Sequence, residues 1–262
     1  MSKYYIGVDI GSLTTKVVMV NDSGEIAARA TGRSGYSGKD VAARLTEGLL
    51  REKGLGQNDL AATVATGYGR VTYPSDREVS EITCQAKGIA HLFGTARTVI
   101  DIGGQDSKVI KILNGGKVVD FAMNDKCAAG TGRFLEVMAG ALEVRLEDVG
   151  DLALQATGQC QISSFCTVFA ESEVISHVSS GASKADILAG VCESVAVRVA
   201  SMTARTGLEP DVVFTGGVAR NKGVSAALAK QLGCSLLIPD EPEITAALGA
   251  ALFAREIKKV YN

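Results

Sequence analysis

The sequence predicts an α/β protein made of two related halves, and three observations carry that prediction. The 262-residue chain is 46% hydrophobic but only 5% aromatic, with 30 glycines and a mean hydropathy of +0.18. That is the profile of aliphatic strands and helices punctuated by turns. Asp9-Ile10-Gly11-Ser12 running on to Lys16 returns as Asp101-Ile102-Gly103-Gly104 running on to Lys108, 92 positions later, an internal repeat at the scale of a subdomain. Each copy is followed by apolar residues at helical spacing.

Taken in order, Tyr4 to Ile10 reads as a buried strand ending in a turn at Gly11-Ser12. Thr14 to Val20, rich in β-branched residues, is its return strand, closed by Asn21-Asp22-Ser23-Gly24, and Ile26 to Ala30 completes a meander. Val41, Leu45, Leu49 and Leu50 place a helix over residues 40–53. The pattern restarts with a strand over Thr98–Ile102, a turn at Gly103-Gly104-Gln105-Asp106 and a return over Ser107–Ile112. After Asn114-Gly115-Gly116 comes a strand over Lys117–Phe121. The remainder is mainly helical. Phe134, Val137, Met138, Ala141 and Leu142 share one face of 132–144, and Ile187, Leu188, Val191, Val195, Val199 and Met202 one face of 184–206. Asp211 to Phe214 is a short buried strand running into Thr215-Gly216-Gly217, and a last helix, about 244–259, carries Gly249 for close packing. No Pro/Gly/Ser-rich linker separates the halves, so close packing with a cleft between them is expected.

Charge narrows the function. With 27 Lys+Arg against 29 Asp+Glu the net charge is −2, and no basic face is available to neutralise nucleic-acid phosphates. No apolar run approaches the ~18–20 residues that span a bilayer. The N-terminus meets its first carboxylate at Asp9, too early for a signal-peptide core. A cytoplasmic, reducing location is therefore expected, where cysteines are small core hydrophobes unless their surroundings say otherwise.

A strand ending in Asp-x-Gly-Ser and followed by a Thr-rich return strand suits a phosphate. Gly11 lets the backbone approach, Ser12, Thr14 and Thr15 supply hydroxyl and amide donors, and Lys16 adds a compensating charge. Asp9 is placed to hold Mg2+ through water. Gly103-Gly104-Gln105 repeats the device from the opposite wall, with Gln105 set to orient an attacking water. Thr215-Gly216-Gly217 forms a third glycine turn, against which a nucleoside slides. Any one of these alone reads equally as an ordinary tight β-turn. All three, each straight after an apolar strand, resemble the two phosphate motifs and the adenosine motif of the superfamily of acetate kinase, sugar kinases, heat-shock chaperone ATPases and actin. The resemblance implies two ribonuclease-H-like (actin-type ATPase) subdomains, residues 1–95 with 246–262 and residues 96–245, closing on ATP and Mg2+ in the cleft between them. Kinases, chaperones and filaments share that fold, so it does not fix function.

Two cysteines narrow it further. Cys127, in Asn124-Asp125-Lys126-Cys127-Ala128-Ala129-Gly130-Thr131-Gly132-Arg133-Phe134, stands among small residues just before a helix, and Cys166 enters a helix of its own. Free amides and the helix dipole at such N-termini favour thiolates and anionic clusters. Two cysteines cannot supply the four thiolates of an iron–sulfur cluster, but a twofold dimer brings two from each partner. On spacing alone, capping or buried thiols and a zinc site shared across a dimer remain alternatives. The Cys127 segment, the stretch Cys166 to Ser176 and Ala65-Thr66-Gly67-Tyr68-Gly69-Arg70 closely resemble the activator component of 2-hydroxyacyl-CoA dehydratases, in the BadF/BadG/BcrA/BcrD-type ATPase family.

That resemblance implies that Cys127 and Cys166 hold one 4Fe-4S cluster per homodimer. It implies nucleotide contacts at Gly11, Ser12, Leu13, Thr14, Thr15 and Lys16, at Gly103 and Gly104, at Gly130, Thr131 and Gly132, and at Gly216 and Gly217. Gln105 and Asp9 are then the catalytic pair. The activity implied is one-electron reduction of a partner dehydratase, driven by ATP hydrolysis and fed by reduced ferredoxin or flavodoxin. Related activators serve benzoyl-CoA reductases and double-cubane-cluster reductases. Two rivals differ in kind. One is a small-molecule kinase with Asp101 or Asp106 as base, and the other a non-enzymatic ATP-binding module tied by zinc. Cys160, in an alternating, strand-like Gln159–Ser163, reads as structural, as do Cys84, Cys192 and Cys234. His91 and His177 show no ligand spacing, and the helix dipole accounts for Glu171 and Glu173, with a cleft-facing Glu171 as the alternative.

Overall fold

A computed structural model describes residues 3–163 and 166–259. Ser164 and Phe165, just ahead of Cys166, lie outside the described residues, as do the last three positions expected in the N-terminal subdomain. The chain forms two compact units: Met1–Ala96, Ile112–Val119 and Glu243–Asn262 in the first, Arg97–Lys111 and Asp120–Pro242 in the second.

Unit 1 is built on β1 (Tyr4–Ile10), β2 (Thr14–Val20), β3 (Ile26–Arg33), β4 (Leu60–Thr66) and β5 (Arg77–Glu78), in the order β3-β2-β1-β4-β5. β1 runs antiparallel to β2 with Asp9 opposite Lys16, and parallel to β4 with Asp9 beside Thr66. Both faces of the sheet are covered, so the central strands are apolar throughout rather than alternating. Ile6, Val8, Ile10, Val17 and Met19 pack on Ala42, Leu49 and Leu50 of α1 (Gly38–Glu52). Tyr5, Val18, Val20 and Val64 pack on Ala247, Leu248 and Ala251 of α8 (Thr245–Lys259). α8 also crosses α2 (Glu81–Leu92) at backbone contact, since a Cβ on Gly249 would collide with the Cys84 carbonyl and one on Gly88 with that of Thr245.

A second sheet, mostly in unit 2, repeats the plan with β6 (Thr98–Ile102), β7 (Ser107–Leu113), β8 (Lys117–Asn124), β9 (Val212–Thr215) and β10 (Leu236–Leu237), ordered β10-β9-β6-β7-β8. β6 pairs antiparallel with β7, placing Asp101 opposite Lys108, and parallel with β9, placing Asp101 beside Thr215. Its core gathers α3 (Gly132–Ala141), α4 (Val149–Ala153), α5 (Thr167–Ser179), α6 (Lys184–Thr206) and α7 (Lys222–Leu232). Length and composition alone would let the 23-residue α6 cross a membrane, a run the sequence reading passed over. Ile187, Leu188, Val191, Val195 and Val199 are instead fully buried in this core.

Several elements depart from expectation. β3 and β8 each run three residues further, and α3 stops at Ala141, where Leu142 caps it. β4 escaped notice because Leu60-Ala-Ala-Thr-Val-Ala-Thr is too alanine-rich to stand out. Residues 159–163 form no strand. The Cys160 amide donates to Asp186 O (3.1 Å), and the Cys160 carbonyl lies so close to Gly190 that a Cβ there would collide with it. The segment is laid along α6 and has no strand neighbour.

Candidate functional site

In unit 1 the turn after β1 is closed by the Gly11 amide, which donates to Thr14 O (3.1 Å). Asp9, only 3% exposed, accepts from Lys16 Nζ at Oδ2 (3.0 Å). Its Oδ1 is buried with no donor among the described residues. Ser12, Leu13 and Thr14 are partly exposed along the turn. Thr15 is buried, and its hydroxyl pairs with Ser34 Oγ (2.9 Å). Ser34 also donates to Gly11 O (2.7 Å) and, through its amide, to Leu13 O (2.9 Å), so it braces the turn from behind. Sequence reading missed Ser34 because a brace 23 residues away in the chain leaves no spacing signal.

Unit 2 closes its turn in the same way, the Gly103 amide donating to Asp106 O (3.0 Å). Here Lys108 is buried (2% exposed) and faces two buried carboxylates, Asp106 Oδ1 at 2.8 Å and Asp101 Oδ2 at 3.5 Å. Two carboxylates against one ammonium leave an excess negative charge, which suits a hard cation that keeps most of its waters. The surplus carboxylate charge beside Lys108 fits Mg2+, and so, separately, does the open oxygen of Asp9 in unit 1. Gln105 is exposed at the tip of the turn. Thr215 donates through Oγ1 to Pro242 O (2.6 Å), as does the Gly216 amide (3.0 Å), and Gly217 faces open space.

The Gly130–Gly132 segment does not aim its polar groups outward. Gly130 and Thr131 are buried, and the Thr131 hydroxyl donates to Ala128 O (2.6 Å). The Gly132 amide donates to Gly103 O (2.9 Å) and the Arg133 amide to Gly104 O (2.8 Å). The first amides of α3 are therefore not free, contrary to the sequence reading; they hold the backbone of the Gly103–Gly104 turn.

Cys127 stands in the same loop, five residues ahead of α3. Asn124 Nδ2 donates to both Cys127 O (2.8 Å) and Ala129 O (2.9 Å) and so fixes the loop's shape. Cys166, exposed, is the N-cap residue of α5, where no side chain caps the helix end. Glu173 does more than complement the α5 dipole, since its two oxygens accept from the amide and hydroxyl of Ser163 (2.8 and 2.9 Å). Among the described residues no three His, Cys, Asp or Glu side chains converge as metal ligands. Two thiols in unit 2, one on a braced loop and one at an open helix end, offer two of the four thiolates that a 4Fe-4S cluster takes. Cys84 and Cys192 are buried thiols, pushed up to about 12 chiefly by desolvation. Cys160 and Cys234 pack at the edge of the unit 2 core. His177 Nε2 lies 3.1 Å from Gln161 O, and His91 is exposed near the end of α2.

Two five-stranded sheets of matching order, each with an Asp-Ile-Gly turn at the end of its central strand, define an ATPase of the actin and sugar-kinase fold. Residues 6–254 match the BadF/BadG/BcrA/BcrD ATPase family, and the chain belongs to that family. It is 49% identical over 254 residues to the activator of lactoyl-CoA dehydratase of Anaerotignum propionicum, covering 97% of this chain and 98% of the relative. The activator of the 2-hydroxyisocaproyl-CoA dehydratase from Clostridium difficile, solved with bound ADPNP, superposes with a TM-score of 0.93 at 46% identity, over 98% of this chain and 96% of the other. Component A of the (R)-2-hydroxyglutaryl-CoA dehydratase of Acidaminococcus fermentans gives a TM-score of 0.94 at 45% identity, over 99% and 100%.

Proposed function

We propose that this protein activates a 2-hydroxyacyl-CoA dehydratase by one-electron transfer coupled to ATP hydrolysis. The relatives just described are named for dehydratases of three different acyl-CoAs, which supports the enzyme class and leaves the acyl group open. The observation that carries the coupling is the pair of hydrogen bonds from the Gly132 and Arg133 amides to the Gly103 and Gly104 carbonyls. They tie the backbone after the Cys127 loop to the Gly103–Gly104 turn, which supports the coupling.

Gly11, Gly103 and Gly104 present backbone to the phosphates, and Lys16 offsets their charge. Asp9 would hold Mg2+, which would offset phosphate charge when bound, and Gln105 orients the attacking water. Gly216 and Gly217 give the nucleoside a flat backbone to lie against. Cys127 and Cys166 of two copies would hold a 4Fe-4S cluster, which supplies one-electron chemistry when bound. Phosphate contact at Gly103–Gly104 shifts the carbonyls on which α3 hangs, and the Cys127 loop follows. Val168 and Phe169, both 66% exposed in the first turn of α5 beside Cys166, form the apolar start of a homodimer seam. Reduced ferredoxin or flavodoxin is the donor, and the protein works in the cytoplasm.

Anaerobic purification with iron and sulfide analysis tests this reading. The expected content is about four irons per dimer, with ATP turnover retained. Cys127→Ser and Cys166→Ser each lose the visible absorbance while still binding ATP. Full iron content in either variant, or a wild-type protein that stays colourless after reconstitution, would sink the assignment.

A further inference from the structure

The repeat between the units extends past the Asp-Ile-Gly turn. Thr66 lies beside Asp9 in unit 1 as Thr215 lies beside Asp101 in unit 2. A glycine follows each threonine, Gly67 and Gly216, both at φ +84°. At each, a Cβ would come within 2.5 Å of the aspartate Oδ1 and collide with the following isoleucine carbonyl. The two turns are therefore one device built twice, at the carboxyl ends of parallel strands where α/β sheets bind ligands.

Beyond that glycine the copies diverge. Unit 2 continues with Gly217, open to solvent, whereas unit 1 continues through Tyr68 and Gly69 to Arg70. The Gly69 amide donates to Ile10 O (3.0 Å), which pins the turn against the end of β1. Arg70 is half-buried, and its Nη1 donates to Gly67 O (3.1 Å). No carboxylate lies within ion-pair distance of it among the described residues. A guanidinium has five N–H donors, so most of this fork is unspent while its orientation is fixed. The buried Asp9 Oδ1, which has no hydrogen-bond donor among the described residues, lies against the same turn. Arg70 joins Lys16 as a second cation at this end of unit 1, where Asp9 and Glu81 supply the negative charge.

We propose that Arg70 binds the terminal phosphate of ATP, as the unit 1 counterpart of the turn that receives the nucleoside in unit 2. The proposal rests on the ATP-binding reading above and adds a phosphate-specific residue to it. A fixed, permanently charged fork matches phosphoryl oxygens bidentately, and it offsets their charge as water attacks phosphorus and the bridging oxygen departs with ADP.

Arg70→Gln and Arg70→Lys in the full-length holoprotein, titrated with ADP and with ADPNP, separate the roles. In R70Q, ADPNP affinity is expected to fall at least tenfold and ATP turnover roughly 100-fold, with ADP affinity within twofold of wild type. R70K keeps the charge and the Gly67 bond but not the fork, so it should recover little turnover, while added guanidinium restores part of it in R70Q. Equal losses for ADP and ADPNP, or a lowered melting temperature with no change in the ADPNP-to-ADP ratio, would make Arg70 a brace for the turn and overturn the proposal. A wild-type protein that binds neither nucleotide would instead remove the reading on which it stands.

Discussion

The two Asp-Ile-Gly turns share a backbone and differ in charge. In both, the glycine amide closes onto the carbonyl three residues on, the aspartate faces a lysine across an antiparallel pair, and its other oxygen meets a glycine at φ +84°. In unit 1 the pair is neutral and Lys16 retains 14% exposure of its side chain. In unit 2 Lys108 is sealed in with two carboxylates. Geometry has been kept where a strand must end, while charge differs: surplus carboxylate beside Lys108 in unit 2, a balanced Asp9–Lys16 pair in unit 1.

The sharpest way to break the comparison is at the lysines. Lys108→Met strands two buried carboxylates, and we expect a loss of about 3–5 kcal/mol in denaturant unfolding. Adding Asp106→Asn should recover a good part of it by removing the surplus charge. If the double variant is as unstable as the single one, the charge argument for unit 2 is wrong and packing of the lysine stem is what matters.

Next come the paired glycines. Gly67→Ala and Gly216→Ala each force a side chain into left-handed backbone and against a carbonyl, and each should cost about 2 kcal/mol or more. Equal losses support one device built twice; a harmless substitution at either position would show that the equivalence is only apparent. Lys16→Met should cost less, about 1–3 kcal/mol, because one partner is stranded and water still reaches the site. Its larger effect is expected on ATP affinity, read by nucleotide titration.

How legible these features were in the sequence follows from how far apart their parts lie. The Asp-Ile-Gly turns announced themselves because strand, turn and lysine sit within eight residues of one another. The Thr-Gly echo did not, since Thr66-Gly67 and Thr215-Gly216 become equivalent only once β4 and β9 are seen beside β1 and β6. Ser34 and Asn124 were invisible for the same reason: their work is done through carbonyl oxygens, which every residue carries. The Cys127 loop precedes a helix as the sequence suggests, but its link to the Gly103–Gly104 turn depends on two main-chain amides that no side-chain pattern encodes. Gly249 was read rightly as a close-packing residue because a glycine inside an apolar helix has few other uses.

The smallest effect expected separates the units as folding bodies. Each buries one thiol, Cys84 in unit 1 and Cys192 in unit 2, with burial raising both from an ordinary 9.0 to about 12. The folded state thus keeps protons that the unfolded state releases above pH 9. The stabilisation is fully present below pH 9 and is lost as pH rises toward 12, at a limit of about 1.4 kcal/mol per pH unit for each thiol. Chemical denaturation between pH 8 and 10.5 reads that slope. Cys84→Ala and Cys192→Ala each shift overall stability by a constant cavity cost, but the slope should fall by the same increment in either variant if the units unfold in one transition. Should the transition split, each substitution would flatten only the phase of its own unit, and the two halves would then be repeats in thermodynamics as well as in form.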